Sequence, residues 1–273
     1  MALKRTIGKL PALFAGVLAM VSLPGCEGLF EYSPYQVRTA VTGTARNGKT
    51  LELLAQQSSE TFKPFKIALI SDSHTFYDDF EDQVAALNRM DSIDFVIHLG
   101  DITLSGIYRE FVWYAEIIDK LRKPILTVIG NHDCLSNGEI MYREMFGPSN
   151  LTVVYNNCKL VLFDDIIWER NVTDPNFQWL YDQLGESRAY THQLVFAHIH
   201  PWDAQFSVGN KLLYNQLMEM HGVSMSVHGH AHKYQYSEYF GKIPYLLVGD
   251  SEDREIVVLE IKETEITVNR KKI

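Results

Sequence analysis

Apolar and polar positions follow one another along the chain in a pattern that predicts strands and helices in turn. The mostly apolar run Phe65–Ile70 is typical of a buried strand, and similar runs occupy residues 94–99 and 125–129. Between these runs, apolar residues recur at helical spacing over residues 78–90 and 108–121. This order predicts right-handed βαβ units with a parallel sheet.

The second half of the chain repeats this pattern with more strands. Apolar runs at 151–155 and 159–163 flank Asn156–Asn157, which predicts a β-hairpin. We expect further strands at 193–197, 223–227, 245–248, 256–261 and 265–269, the last three with hairpin spacing, and helices at 174–184 and 210–220. Asp174 is the expected N-cap of the first of these helices. The whole pattern predicts an α/β sandwich, in which two sheets pack face to face with helices outside.

Composition limits the classes of protein that this chain can belong to. Its 273 residues are 46% hydrophobic, which is enough for one large core. The formal net charge is −9, and it becomes about −12 without Lys4, Arg5 and Lys9 of the leader discussed below. An acidic body repels polyphosphate backbones, so nucleic acid is not expected as a general partner. A small phosphorylated substrate remains possible, because bound metal ions invert the local field.

The N-terminus has the pattern of a secretory signal. A basic segment precedes the apolar stretch Leu10–Leu23, and Pro24, Gly25 and Cys26 follow. The alternative of an uncleaved membrane anchor is disfavoured, because a helix needs about 20 apolar residues to span a bilayer. The segment Leu23–Cys26 resembles a bacterial lipoprotein box, in which the cysteine is lipidated and becomes the new N-terminus. We therefore expect lipidation at Cys26 and a lipid-anchored place in the bacterial cell envelope, on the periplasmic or surface side.

The chain then divides into three parts. We predict a lipoprotein-type signal peptide at 1–25, a tether with a peripheral element packed on the core at 26–62, and one domain at 63–273. Within the second part, residues 37–41 are compatible with a short strand. Cys134 and Cys158 remain after processing, and two cysteines in an exported domain permit a disulfide without requiring one.

Polar clusters stand at five of the predicted strand ends. They are Asp72-Ser73-His74, Gly100-Asp101, Gly130-Asn131-His132-Asp133, Ala197-His198 and Gly229-His230-Ala231-His232. Side chains that follow strands of such a sheet gather at one edge. Carboxylate, imidazole and amide donors suit Mn, Fe or Zn, and the lack of thiolates among them argues against a structural zinc site. Each cluster alone is weak evidence for a metal site, since a Gly-Asp pair is commonly just a turn. We interpret Gly249-Asp250 as a turn only.

The order of the five clusters resembles the calcineurin-like metallophosphoesterases over roughly residues 65–248. The resemblance implies a four-layer α/β/β/α fold, with two mixed sheets flanked by helices and two divalent metal ions at one edge. It implies one cation on Asp72, His74 and His232, the other on Asn131, His198 and His230, and Asp101 as the bridge between them. In that family the histidine after the asparagine, in this chain His132, is not a ligand and would contact the substrate phosphate or the leaving group.

These assignments make chemical sense for phosphate ester hydrolysis. Two cations about 3.5–4 Å apart clamp the attacking and departing oxygens, and a metal-bound water becomes a hydroxide nucleophile near neutral pH. His132 is suited to donating a proton as the leaving oxygen develops charge. Asp133 has two interpretations: it orients His132 or a metal ligand from behind, or it is an acid at the surface.

The sequence thus predicts a metal-dependent phosphoesterase acting on a small phosphorylated substrate, a mono- or diester, with a slight preference for diesters. One alternative is a non-catalytic metal-binding or scaffold protein on the same fold, although such proteins commonly lose ligands that this chain keeps. Another is a different metallohydrolase such as an amidohydrolase, which would carry an early His-x-His that this chain lacks.

The remaining histidines and loop aromatics have simpler interpretations. The lone-histidine motif has His200 where the family commonly has proline, and we expect His200 at the rim of the pocket and not as a ligand. His98 is expected in the core, and His228 beside the site as a supporting neighbour. Tyr77, Trp202 and Phe206 are candidates for the pocket wall, with simple packing at least as well supported.

Overall fold

The computed structural model describes residues 45–185, 189–238 and 243–273, which belong to one compact unit. The predicted signal peptide, the lipidation site Cys26 and the strand expected at 37–41 lie outside the described residues, so they stay predictions. In the described part, none of the helices is both long enough and apolar enough to span a membrane.

Helices and strands alternate along much of the described part of the chain. The helices are α1 (Arg46–Gln57), α2 (Tyr77–Leu87), α3 (Tyr108–Ile118), α4 (Gly138–Phe146), α5 (Phe177–Leu184) and α6 (Val208–Met220). The strands are β1 (Phe65–Ile70), β2 (Phe95–His98), β3 (Ile125–Thr127), β4 (Leu151–Tyr155), β5 (Cys158–Leu162), β6 (His192–Phe196), β7 (Met225–His228), β8 (Gln235–Glu238), β9 (Pro244–Leu247), β10 (Glu255–Ile261) and β11 (Ile266–Lys272).

The strands form two mixed sheets. The five-stranded sheet has the order β11-β10-β1-β2-β3, with β1, β2 and β3 parallel and β10 antiparallel to both of its neighbours. The six-stranded sheet has the order β4-β5-β6-β7-β9-β8, with parallel pairing from β5 through β9 and antiparallel edge strands. The parallel strands at the centre of both sheets send their carboxyl ends to one edge.

The two sheets pack face to face because alternate side chains of each strand enter different cores. In β1, Ile67 and Leu69 join an apolar cluster that includes residues of both sheets, such as Leu194 of β6. Ala68 and Ile70, on the other face of β1, pack in a cluster that includes the helices. The predicted fold class, two mixed sheets flanked by helices, is therefore confirmed.

Two predicted details are wrong. Helix α5 begins at Phe177 and not at 174, because the side chain of Asn176 accepts a hydrogen bond from the backbone N of Trp179 at 3.0 Å and so caps the helix. The hairpin spacing expected for the last three strands holds only for β10 and β11. Strand β9 pairs with β7 and β8, whereas β10 crosses to the other sheet, where Val257 lies opposite Leu69 of β1.

Helix α1, which the sequence did not predict, secures the edge of the five-stranded sheet. Its buried Asn47 donates from Nδ2 to the carbonyl of Thr127 and accepts from the N–H of Thr127, both at 2.9 Å. Thr50 adds a hydrogen bond to the carbonyl of Ile125 at 2.8 Å. The side chains of α1 thus pair with backbone groups at the outer side of an edge strand, where the Thr127 carbonyl also accepts from the hydroxyl of Tyr142.

Replacing Asn47 with alanine is expected to lower the free energy of unfolding by about 1–3 kcal/mol, because the N–H of Thr127 would be left buried and unpaired and its carbonyl would keep only the hydrogen bond from the Tyr142 hydroxyl. Urea denaturation followed by circular dichroism measures the change. Gln57→Ala, at an exposed position of the same helix, is the control. A loss for Asn47→Ala no larger than that of the control would contradict this role of α1.

Candidate metal centre

The polar clusters sit where the parallel strands end, in backbone conformations that point their side chains together. Asp72, Asp101, His230 and His232 all have φ between 48° and 64°, in the left-handed region. A non-glycine residue there costs about 1–3 kcal/mol, and such strain concentrates at functional sites. The strain is consistent with these four side chains being held for a purpose other than packing.

Small residues allow the strand ends to approach one another. Gly100 has φ of 100°, and a Cβ there would lie 2.7 Å from Nδ1 of His198. A Cβ at Gly229 would lie 2.1 Å from Oγ of Ser71. The glycines that precede Asp101 and His230 are therefore needed for close approach of the loops.

Asp101 is the centre of the arrangement. Its buried Oδ2 lies 3.2 Å from Nε2 of His198 and 3.9 Å from Nε2 of His74. Burial by itself would raise the pKa of Asp101, but the charge of His198 and its hydrogen bond hold that pKa well below the ordinary range. Burial likewise lowers the pKa of His198, and Asp101 outweighs it and raises the pKa to about 10. One carboxylate oxygen of Asp101 thus faces two imidazoles, that of His74 and that of His198.

On one side of Asp101, Asp72, His74 and His232 offer ligand atoms that all lie within 4.8 Å of one another. Oδ1 of Asp72 is 3.3 Å from Nε2 of His232. Among the described residues, both ring nitrogens of His74 are buried without a hydrogen-bond partner, and the His232 contact at 3.3 Å is too poorly directed to satisfy Oδ1 of Asp72. Unpaired buried polar atoms cost about 1–3 kcal/mol each, and a divalent cation would satisfy them. These residues therefore fit a metal ion.

On the other side, Asp101, His198 and His230 form a second group within 4.8 Å. Oδ1 of Asn131 lies 3.2 Å from Nε2 of His198 and 3.0 Å from Nδ1 of His230. Nδ1 of His198 donates to the carbonyl of Leu99 at 2.7 Å, so the proton that a metal ion would displace is the one on Nε2, which faces the group. Oxygen and imidazole donors of this kind suit a second divalent cation.

The structure therefore brings all seven predicted ligands together, in two groups that share Asp101. His132 lies at the same edge, with Nδ1 2.6 Å from the carbonyl of Leu104 and its ring centroid 5.0 Å from that of His74. It is only half-buried, so part of its ring is accessible from solvent. A ligand atom of His132 also lies within 4.8 Å of His74 and Asp101, so distance alone does not separate it from the ligands.

The surface position considered for Asp133 is wrong, and so is a contact with the ring of His132. Its side chain is fully buried and accepts hydrogen bonds from the backbone of Gly130 and Thr103, both at 2.9 Å, and from the Thr103 hydroxyl at 2.8 Å. None of its hydrogen bonds within the described residues involves the ring of His132. Burial and the nearby charge of Asp101 raise the pKa of Asp133 to about 7. Asp133 thus joins the two strand-end loops that carry Asp101 and Asn131, which leaves support of a ligand from behind as its role.

Three carboxylates behind the ligands were missed in the sequence. Asp250 lies 3.0 Å from Nδ1 of His232, so the Gly249-Asp250 pair is not a turn only. Oδ2 of Asp203 lies 3.5 Å from Nε2 of His230, and Glu169 accepts from Nδ2 of Asn131 at 3.0 Å. Gly249-Asp250 follows a strand as Gly100-Asp101 does, and that signal could have identified it. Nothing in the sequence distinguishes Asp203 or Glu169 from surface acids.

The other histidines and aromatics mostly support the fold. His98 is buried, as predicted, with Nε2 3.0 Å from Oγ of Ser73. His200 is buried and not at a rim; its ring stacks on Trp202 with centroids 4.6 Å apart, and burial lowers its pKa to about 4. His228 is buried and contacts Ser226, and Tyr77 and Phe206 pack in or against the core.

Replacing Asp250 with asparagine is expected to weaken divalent-cation binding about 10–100-fold. The carboxylate favours a proton on Nδ1 of His232 and leaves Nε2 free to bind metal, whereas the amide can donate to Nδ1 and favour the opposite tautomer. Asparagine can still accept from the backbone N of Asp253. Calorimetric titration with Mn²⁺ measures the affinity, with Glu252→Gln in the same turn as control; equal affinities for both variants would contradict this role.

Comparison of the sequence with known proteins gives two matches. The model of the calcineurin-like phosphoesterase family matches residues 65–234, a region that contains all seven candidate ligands. A protein from Xenorhabdus bovienii (strain SS-2004), named "probable cyclic nucleotide phosphodiesterase", is 22% identical over 171 residues, which cover 57% of this chain and 69% of that protein.

Comparison of the structure gives similar folds. Purple acid phosphatase PPD1 from yellow lupin (Lupinus luteus) superposes with a TM-score of 0.65 at 12% identity, covering 78% of this chain and 52% of the lupin protein. GAP50, the anchor in the inner membrane complex of Plasmodium, superposes with a TM-score of 0.59 at 10% identity, covering 76% and 84%. At these identities the matches show the fold alone, and this chain spans about half the length of the lupin protein.

Proposed function

Because this chain belongs to the calcineurin-like phosphoesterase family, we propose that it hydrolyses a phosphate mono- or diester at a dinuclear metal centre. The position of Asp101 carries the proposal. Its Oδ2 lies between His198, at 3.2 Å, and His74, at 3.9 Å, where one oxygen can serve two cations. A bridging carboxylate also offsets part of the repulsion between the cations.

The residues on each side of Asp101 would hold one cation each. Asp72, His74 and His232 form the first set, and Asn131, His198 and His230 the second. Two divalent cations of the Mn, Fe or Zn type supply Lewis acidity toward the phosphoryl oxygens and activate water near neutral pH. Asn131 is neutral, so it binds without cancelling the positive charge that attracts the phosphate.

The protein itself orients the groups around the phosphate. His132 is fixed by the Leu104 carbonyl at one nitrogen and by its own backbone N–H, which donates to Oδ1 of Asp101 at 2.9 Å. Its other nitrogen can hold a proton for the leaving oxygen. The half-buried position of His132 leaves it accessible to a substrate that reaches the centre from solvent.

A phosphodiester is the favoured substrate class. The Xenorhabdus relative is named as a cyclic nucleotide phosphodiesterase, which supports a diester, although it is only 22% identical over 57% of this chain. We therefore propose the diester as the substrate of the whole protein, since substrate choice depends on the site of each protein and not on its fold.

A second candidate is a non-catalytic protein on the same fold. The observation that favours it is the structural similarity to GAP50, because GAP50 is named as an anchor and has a similar fold. The convergence of seven ligands and His132 supports catalysis instead, because a scaffold has no need to hold four of these side chains in strained backbone conformations.

A substrate and metal screen tests both candidates. Purified protein is assayed with p-nitrophenyl phosphate, bis(p-nitrophenyl) phosphate, cyclic nucleotides and pyrophosphate, each with Mn, Fe and Zn, and its metal content is measured by elemental analysis. Turnover that needs a divalent metal, with two cations per chain, supports the proposed function. No turnover of any of these esters with any of the metals would favour the anchor or scaffold.

A further inference from the structure

Glu169 lies beside the candidate centre on a loop that no sequence pattern singles out. It belongs to the short 3₁₀ turn Trp168–Arg170, whose first residue is 60% exposed, so the loop lies at the surface. Oε1 of Glu169 accepts a hydrogen bond from Nδ2 of Asn131 at 3.0 Å. Its Oε2 is buried and has no hydrogen-bond partner within the part of the chain that the structure describes. One oxygen is thus occupied by a candidate ligand, and the other is left unpaired.

The contact decides which end of the Asn131 amide faces the metal site. An ionised carboxylate only accepts hydrogen bonds, so it must face the NH₂ group of the amide. The carbonyl oxygen of Asn131 is then directed to the other side, where it lies 3.2 Å from His198 and 3.0 Å from His230. Without Glu169 the amide could rotate and present its NH₂ group to the cation.

The negative charge of Glu169 is not taken up by its basic neighbour. Arg170 pairs with Asp164 and, at 3.5 Å, with Glu139. Glu169 contacts Nδ2 of Asn131, so its charge lies one amide group away from the ligand atoms that would hold the second cation. A carboxylate beside the centre repels a phosphate dianion more strongly than a monoanion, because the Coulomb energy scales with the charge of the substrate.

We propose that Glu169 is a positioning and specificity residue of this centre, which fixes the amide of Asn131 and disfavours dianionic phosphomonoesters relative to monoanionic phosphodiesters. The proposal rests on the proposed phosphoesterase function.

Glu169→Gln tests the specificity part, because glutamine keeps an oxygen for the Asn131 amide and removes the charge. The ratio of kcat/KM for p-nitrophenyl phosphate to that for bis(p-nitrophenyl) phosphate is measured at pH 8, where the monoester is a dianion. We expect this ratio to rise at least about fivefold. Glu139→Gln removes an acid that pairs with the adjacent Arg170 and should leave the ratio unchanged. An unchanged ratio in Glu169→Gln would overturn the proposal.

Glu169→Ala tests the positioning part. Loss of the acceptor is expected to weaken binding of the second Mn²⁺ about 10–100-fold in calorimetric titration, whereas Glu169→Gln should bind it nearly as wild type does. Wild-type affinity in Glu169→Ala would overturn the proposal, and so would equal loss in both variants. Failure of the proposed function looks different, because the wild-type protein would then hydrolyse neither ester.

Discussion

Replacing Asp101 with asparagine is expected to remove at least one of the two cations and to lower kcat/KM for a phosphate ester at least about 1,000-fold. The two side chains have nearly the same shape, but asparagine lacks the charge that offsets repulsion between two cations. One of its two terminal atoms is also an NH₂ group, which cannot bind metal. The Oδ2 position, between His198 and His74, can therefore no longer serve both sides.

Metal content by elemental analysis and steady-state kinetics on the same preparation measure both losses together. The remaining oxygen of asparagine can still accept from the backbone N of His132, so the loop should keep its place, and circular dichroism checks the fold. Asp91→Asn, at an exposed loop position, is the matched control. Two cations and wild-type activity in Asp101→Asn would show that this residue does not bridge a dinuclear centre.

Replacing His132 with alanine is expected to keep both cations and to lower kcat about 10²–10⁴-fold, the range for removal of a general acid. The loss should be larger for an alkyl ester than for a p-nitrophenyl ester, because a poor leaving group depends more on proton donation. The backbone bond from residue 132 to Asp101 does not involve the ring and is retained. The Leu104 carbonyl, which accepts from the ring in the wild type, lies near enough to the surface to be hydrated.

The dependence of kcat on the leaving-group pKa across a series of esters measures this effect, with metal content determined in parallel. His221→Ala is the control, since His221 is half-buried and contacts Tyr181 away from the strand ends. Full activity on the poorest leaving group would contradict the proton-donor role. Loss of a cation would instead identify His132 as a ligand, which its distance from His74 and Asp101 permits.

The seven candidate ligands were predictable because each follows a strand that the local sequence reveals. A buried run such as Phe65–Ile70, followed at once by polar residues, identifies both the strand and its end. Parallel strands share an edge, so residues far apart in sequence, such as Asp72 and His198, are expected at one place. Local pattern and strand direction were sufficient for these residues, and the structure brings all of them together.

The tertiary structure alone decided which strands pair and which side chains support the ligands. The periodicity of Glu255–Ile261 shows a buried strand but not that it pairs with β1, since pairing partners are chosen by packing across the whole domain. Asp250, Asp203 and Glu169 resemble ordinary acids in the sequence, and the sequence left Asp133 open between a supporting residue and a surface acid. A hydrogen bond to a ligand depends on loop positions within a few tenths of an ångström, and no local pattern encodes that distance.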